Sequence, residues 1–151
     1  MAKIPTWNDY LQFDGEHCRS KWRAIDDNWE CPACGRTKFE ILAWTKKIWY
    51  PGIGPDPRKP YMGWKAVLHV HHDHMADGVG SPPPRFTEVL ICGHCNGVDA
   101  AVKRKFDNVM NPKFSFSPAE IRQFIVAKPH SGHMIIFSKA LEIYESAMRD
   151  L

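Results

Sequence analysis

Apolar residues return along the chain at two periods, and each period points to an element. Trp7, Tyr10 and Leu11 have helical spacing, as do Trp22 and Ile25, which predicts two short helices in an aromatic-rich segment 1–30. Ile41, Leu42 and Trp44 predict a buried strand pair over 36–50. Val67-Leu68-His69-Val70-His71 alternates at its start, as a strand running into a polar turn does, and Phe86 to Ile91 reads as the returning strand. Val98, Ala101, Val102 and Phe106 then share one helical face. Ser117-Pro118-Ala119-Glu120 is an N-cap serine, a proline at the first helical position and a glutamate placed to complete a capping box. Ile121, Phe124 and Ile125 supply that helix's apolar stripe, and Pro129 is expected to stop it. A last helix is expected from Ser138 to Leu151, with Phe137, Leu141, Tyr144, Met148 and Leu151 on one face. Two stretches follow neither period. Residues 51–60, PGIGPDPRKP, and the stretch from Ala76 to Arg85 read as loops.

At 151 residues the chain has the usual size of one domain. Hydrophobic residues at 44% and charged residues at 25% fit a globular protein and exclude wholesale disorder. No apolar run approaches the ~20 residues of a membrane-spanning helix, and no signal peptide is visible in MAKIPTWNDYLQF. The expected location is cytoplasmic, in a bacterium or a phage-infected host. A net charge of +3 does not announce a nucleic-acid binder. It conceals local clusters, however: Arg19, Lys21 and Arg23 around Trp22, and Lys103, Arg104 and Lys105 at a helix end. Such groups suit phosphates, or a solvated face and a helix dipole.

Five Cys and eight His are many for this length. Cys31-Pro32-Ala33-Cys34 and Cys92-Gly93-His94-Cys95 have the same spacing, and Cys18 stands alone. A Cys-x-x-Cys turn brings two thiolates to one side of a tight loop, and two such loops complete a tetrahedral site for zinc. Gly35 lets the backbone turn directly after the first pair. Two redox motifs or buried free thiols are the competing readings. A redox motif belongs at a strand-to-helix turn of a thioredoxin-like unit, and two matched copies favour one shared zinc.

Between the pairs, four of the eight His fall in His69-Val70-His71-His72-Asp73-His74. This cluster offers neutral imidazoles as metal ligands, a base that titrates near neutral pH, and a carboxylate to orient a ring. A surface role or a second structural metal is the alternative. His94 is spare if four Cys fill the zinc site, and His130 and His133 read as structural.

Leu68-His69-Val70-His71-His72-Asp73-His74, a loop, and Val89-Leu90-Ile91-Cys92-Gly93-His94-Cys95-Asn96-Gly97 resemble the HNH endonucleases of the ββα-metal fold. The similarity is to the phage recombination endonuclease VII type, with two Cys-x-x-Cys pairs flanking an acidic-His-Asp-His motif and Asn after the last Cys. It covers residues 31–107. The resemblance implies an α+β fold: a zinc-stapled ββα-metal core at 31–107, a helical flank at 1–30 and a C-terminal helical extension at 108–151. It implies that Cys31, Cys34, Cys92 and Cys95 bind structural zinc, and that His71 and Asn96 bind a catalytic divalent metal. His72 would be the general base and His74 would contact the scissile phosphate. The implied partner is DNA, cut to 5′-phosphate and 3′-hydroxyl ends. The C-terminal helices could serve to form a homodimer.

The chain departs from the endonuclease VII pattern at His71, where that pattern has Asp; other HNH enzymes place His there. Imidazole is a softer ligand than carboxylate and tilts the preference from Mg2+ towards Mn2+ or other transition metals. Asp73 would be a ligand instead if the turn is shifted. The long interval from Cys34 to His71 holds the Pro-rich loop, expected to project and help choose substrate. A non-catalytic zinc-ribbon nucleic-acid-binding module is the main alternative, needing the cysteines but not His71, His72 or Asn96. A zinc deaminase is disfavoured because no Glu stands beside the His cluster as its His-x-Glu motif requires.

Overall fold

The computed structural model describes residues 2–48 and 59–151. Helices and three separate two-stranded antiparallel sheets make up these residues. Two short N-terminal helices form as the spacing predicts: α1 (Trp7–Gln12) and α2 (Arg19–Ala24). Thr6 and Asp9 close a capping box on α1, satisfying two backbone N–H groups that have no partner within a helix's first turn. Tyr10 and Trp22 are buried, whereas Trp7 and Leu11 of the same stripe are exposed. Arg19 pairs in solvent with Asp14, so this basic cluster forms a wet face with a core tryptophan behind it. Buried Cys18 turns its thiol to the carbonyl oxygens of Gly15 and Ala66.

The strand pair expected within 36–50 is corrected. Thr37 makes an isolated antiparallel bridge with Glu30, residues 38–41 turn, and β1 (Ala43–Lys47) pairs with β2 (Tyr61–Lys65), across the Pro-rich segment. Ile41 and Leu42 are buried, but Trp44 is only half-buried and packs edge-on against Trp64 at 5.0 Å. The expectation that the Pro-rich loop projects falls mostly on residues 49–58, outside the described residues.

The strand β3 (Leu68–His71) pairs antiparallel with β4 (Val89–Cys92), which starts later than Phe86. β4 runs directly into α3 (Gly93–Lys105), so the second Cys pair straddles the strand–helix junction. The Gly93 N–H meets the Val67 carbonyl at 2.7 Å, and a Cβ at Gly93 would lie 2.9 Å from that of Val67. Only glycine lets helix and hairpin approach so closely.

The capping box at Ser117 and Glu120 forms as predicted and opens α4 (Pro118–Phe124). The helix stops at Phe124, well before Pro129, because Ile125–Val126 leaves it as β5 to pair with β6 (Met134–Ile135). The last helix, α5 (Phe137–Arg149), buries Ala140, Tyr144 and Ala147; Leu151 lies beyond its end and is exposed. Both C-terminal helices spend their apolar faces inside the chain. Phe116 packs edge-on against Phe114 and Phe124 at 5.0 and 4.9 Å, and Phe114 against Tyr144 at 4.9 Å. Each buried Phe contributes about 1.5–3 kcal/mol of transfer free energy. Buried side chains from Tyr10 to Ala147 form one continuous cluster. Among the described residues no helix is long and apolar enough to cross a membrane.

Candidate functional site

Four cysteines meet where the first Cys loop touches the β4–α3 junction. The Sγ atoms of Cys31 and Cys95 are 3.8 Å apart, and those of Cys34 and Cys92 are 3.9 Å apart. A tetrahedron of ~2.3 Å zinc–sulfur bonds has sulfur–sulfur edges of about 3.8 Å. All four thiols are free of disulfides, and the four ligand atoms lie within 4.8 Å of one another. The cluster is therefore compatible with a structural zinc. Its electrostatics agree. The Cys92 and Cys95 thiols are pushed up through their contacts with Cys31 and then Cys34, while contact with Cys31 drives Cys34 down. Four crowded thiols cannot all ionise on their own, and a divalent cation removes that conflict. Gly35 follows the first pair at φ 76°, as its placement predicts.

Arg36 is the residue that sequence reasoning missed here. It is 4% exposed and donates through Nε to Cys34 Sγ at 3.2 Å and through Nη2 to Cys92 Sγ at 3.4 Å. Nη1 donates to the carbonyls of Lys128 and Ser131, and Nη2 reaches His94 Nδ1 at 3.0 Å. One guanidinium thus offsets thiolate charge and ties the C-terminal extension to the first Cys loop. Burial, then the charges of Arg36 and His133, push the His94 imidazole down to about 4. His133 sets Nε2 3.1 Å from Cys95 Sγ, so it supports the cluster, while buried His130 bonds through Nδ1 to the Leu42 carbonyl. Arg122 of α4 adds a bond to the Ala33 carbonyl at 2.9 Å.

The histidine cluster divides in two. His71 is 3% exposed; its Nε2 lies 2.6 Å from the carbonyl oxygen of Phe116, and its ring stacks on Phe86 at 5.2 Å. A carbonyl only accepts, so the proton sits on Nε2 and the lone pair on Nδ1. His72 and His74 turn outwards instead. Their rings are 4.3 Å apart, and His72 Nε2 and His74 Nδ1 each lie 3.2 Å from Asp77 Oδ2. Those bonds, from His72 first, hold the Asp77 carboxyl below the usual carboxylate range. The three ligand atoms lie within 4.8 Å of one another and could hold a metal ion. Asp77 was missed by sequence reading. Its signal is the spacing His72-x-His74-x-x-Asp77 around a 3-10 turn at His74–Ala76.

Asp73, the alternative ligand, has both carboxylate oxygens in hydrogen bonds of its own loop. Asp73 is buried, with Oδ1 accepting from the Met75 N–H and Oδ2 from the Arg85 N–H at 2.9 Å. Its carboxylate folds the loop. Arg85 then binds Glu120 at 2.9 Å and the Ser115 carbonyl at 2.8 Å, fixing that loop to α4. Asn96 lies half-buried in the first turn of α3, beside Cys95. Burial and Lys21 lower the His69 imidazole below the usual histidine range. Set against known proteins, the chain matches no protein-family model, no curated protein and no solved structure.

Proposed function

We propose that the protein is a metal-dependent endonuclease of the HNH type that hydrolyses DNA phosphodiester bonds. One observation carries the reading. His72 and His74 stand at the exit of β3, and the hairpin partner of β3 runs straight into the Cys95–Asn96 turn of α3. Four cysteines clamp that junction, so a few polar groups are carried on a rigid scaffold, as catalysis requires.

His72 is the general base in this reading. Its Nε2–H faces Asp77, which leaves Nδ1 to take the proton from a water attacking phosphorus. The bond from phosphorus to the 3′-oxygen then breaks, the 3′-oxygen takes a proton from water and leaves as a hydroxyl, and the phosphate stays on the 5′ end. His74 acts as an imidazolium in this reading, donating through Nδ1–H to the same carboxylate and through Nε2–H to the scissile phosphate. His71 Nδ1 and the Asn96 side-chain oxygen would hold a divalent cation, and this mixed donor set suits Mn2+ as well as Mg2+. When bound, that ion would offset charge on the departing oxygen. Cys31, Cys34, Cys92 and Cys95 would hold structural zinc beside it.

A second reading follows from the clustering of His72, His74 and Asp77: the divalent cation sits there, and His72 is a ligand rather than the base. Plasmid digestion with Mg2+ or Mn2+, with end-mapping, tests both. Metal-dependent products with 5′-phosphates that vanish in His72→Ala support the endonuclease. In the first reading His71→Ala weakens metal binding and Asp77→Asn does not; the second reverses that order. DNA binding without cleavage, indifferent to His71, His72 and Asn96, would select the non-catalytic zinc ribbon.

A further inference from the structure

We propose that a cavity of about 310 Å3 between the β1–β2 hairpin and the β4–α3 junction binds a phosphate group. Thr45, Lys46, Lys65, His69, Gly93 and His94 contribute to its wall, which contains no carboxylate. Neither the Lys46 nor the Lys65 ammonium group has a hydrogen-bond or ion-pair partner among the described residues. Lys21 adds its charge near His69, as Lys65 does near His94. Like charges converging on one concave space repel one another, and a bound anion relieves that repulsion.

The cavity's other features suit the same ligand. α3 begins at Gly93 in the cavity wall with no side-chain cap; the Gly93 N–H is taken by the Val67 carbonyl, so the helix contributes its dipole rather than that N–H. Cys92 also lines the cavity, and Arg36, bonded to both His94 and Cys92, offsets its thiolate charge. Thr45 supplies a hydroxyl donor.

The phosphate comes from a nucleic-acid backbone or is free in solution. His69 lies three residues before His72, about 10 Å along an extended chain, so a strand cut at His72 could place a neighbouring phosphate here. That choice of source rests on the endonuclease reading; the pocket itself does not.

Amide shifts of the full-length, zinc-loaded protein test it, with inorganic phosphate and a short DNA duplex as separate probes and no divalent metal in the buffer. Saturable shifts at Thr45, Lys65 and His69 with both probes, lost in Lys46→Ala/Lys65→Ala, are expected. The double variant's salt dependence of duplex affinity should be shallower by about 0.9 log units per log unit of salt, for one phosphate no longer neutralised. Both lysines are exposed, and an unchanged melting temperature would verify that the variant folds. Shifts with phosphate alone would overturn the nucleic-acid source and keep the pocket. Shifts with neither probe, or shifts unchanged in the double variant, would overturn the pocket. The readout needs no strand cleavage, so its failure and that of the endonuclease reading are separable.

Discussion

His71 donates through Nε2 to the carbonyl oxygen of Phe116 at 2.6 Å, joining the His-rich strand to a segment that lies beyond the motif. The Phe116 N–H in turn donates to buried Asp99 of α3 at 2.8 Å, and Lys103 pairs with that carboxylate at 2.7 Å. Strand β3, helix α3 and the C-terminal extension therefore converge on one residue's backbone. The ring of His71 is held in one tautomer by a group that no spacing rule could connect to it.

Asp99→Ala leaves the buried Phe116 N–H without an acceptor and Lys103 without its partner. The expected loss is about 1–3 kcal/mol, read by urea denaturation at constant m-value. Unaltered stability would mean that water replaces the carboxylate.

Arg36→Met keeps the bulk of the side chain and removes donors to Cys34, Cys92, His94 and two carbonyls. Stripping a charge partner from a buried site costs about 3–5 kcal/mol. Arg36→Lys is expected to rescue little, since a point ammonium cannot span that fork. Thermal melting, together with zinc retention on dilution, checks both variants.

One zinc per chain is expected by native mass spectrometry. Cys95→Ser, or a strong chelator, should remove it and unfold the domain, since structural zinc contributes about 10–16 kcal/mol in small zinc-bound units. Acid should act in the same direction, because each thiolate that releases the metal takes up a proton. Cys18→Ser, by contrast, should leave the zinc count unchanged.

On the proposed endonuclease reading, His72→Ala is expected to lower DNA cleavage by about 10²–10⁴-fold without affecting folding, as loss of a general base would. Asp77→Asn keeps the shape but weakens the hold on both imidazoles, with an expected loss of roughly 10–100-fold. The pH–rate profile should shift in Asp77→Asn, which a purely structural role for the carboxylate would not produce.

Local spacing alone determined the paired Cys-x-x-Cys loops, the capping box at Ser117 and Glu120, both N-terminal helices and the strand entering the His cluster. These depend on residues a few positions apart, where backbone geometry fixes which side chains meet. Tertiary structure alone decided what long loops bring together. The partner of β1 comes from 61–65, beyond a Pro-rich stretch that local period cannot see across. Arg36 finds its carbonyl partners at Lys128 and Ser131, and Asp73 accepts from the Arg85 N–H twelve positions away. Asp77 lies near His72 and His74 in sequence, yet only the 3-10 turn shows its carboxylate facing both rings. Buried polar groups must find partners wherever the packed chain supplies them, and that choice belongs to the whole fold rather than to any one segment.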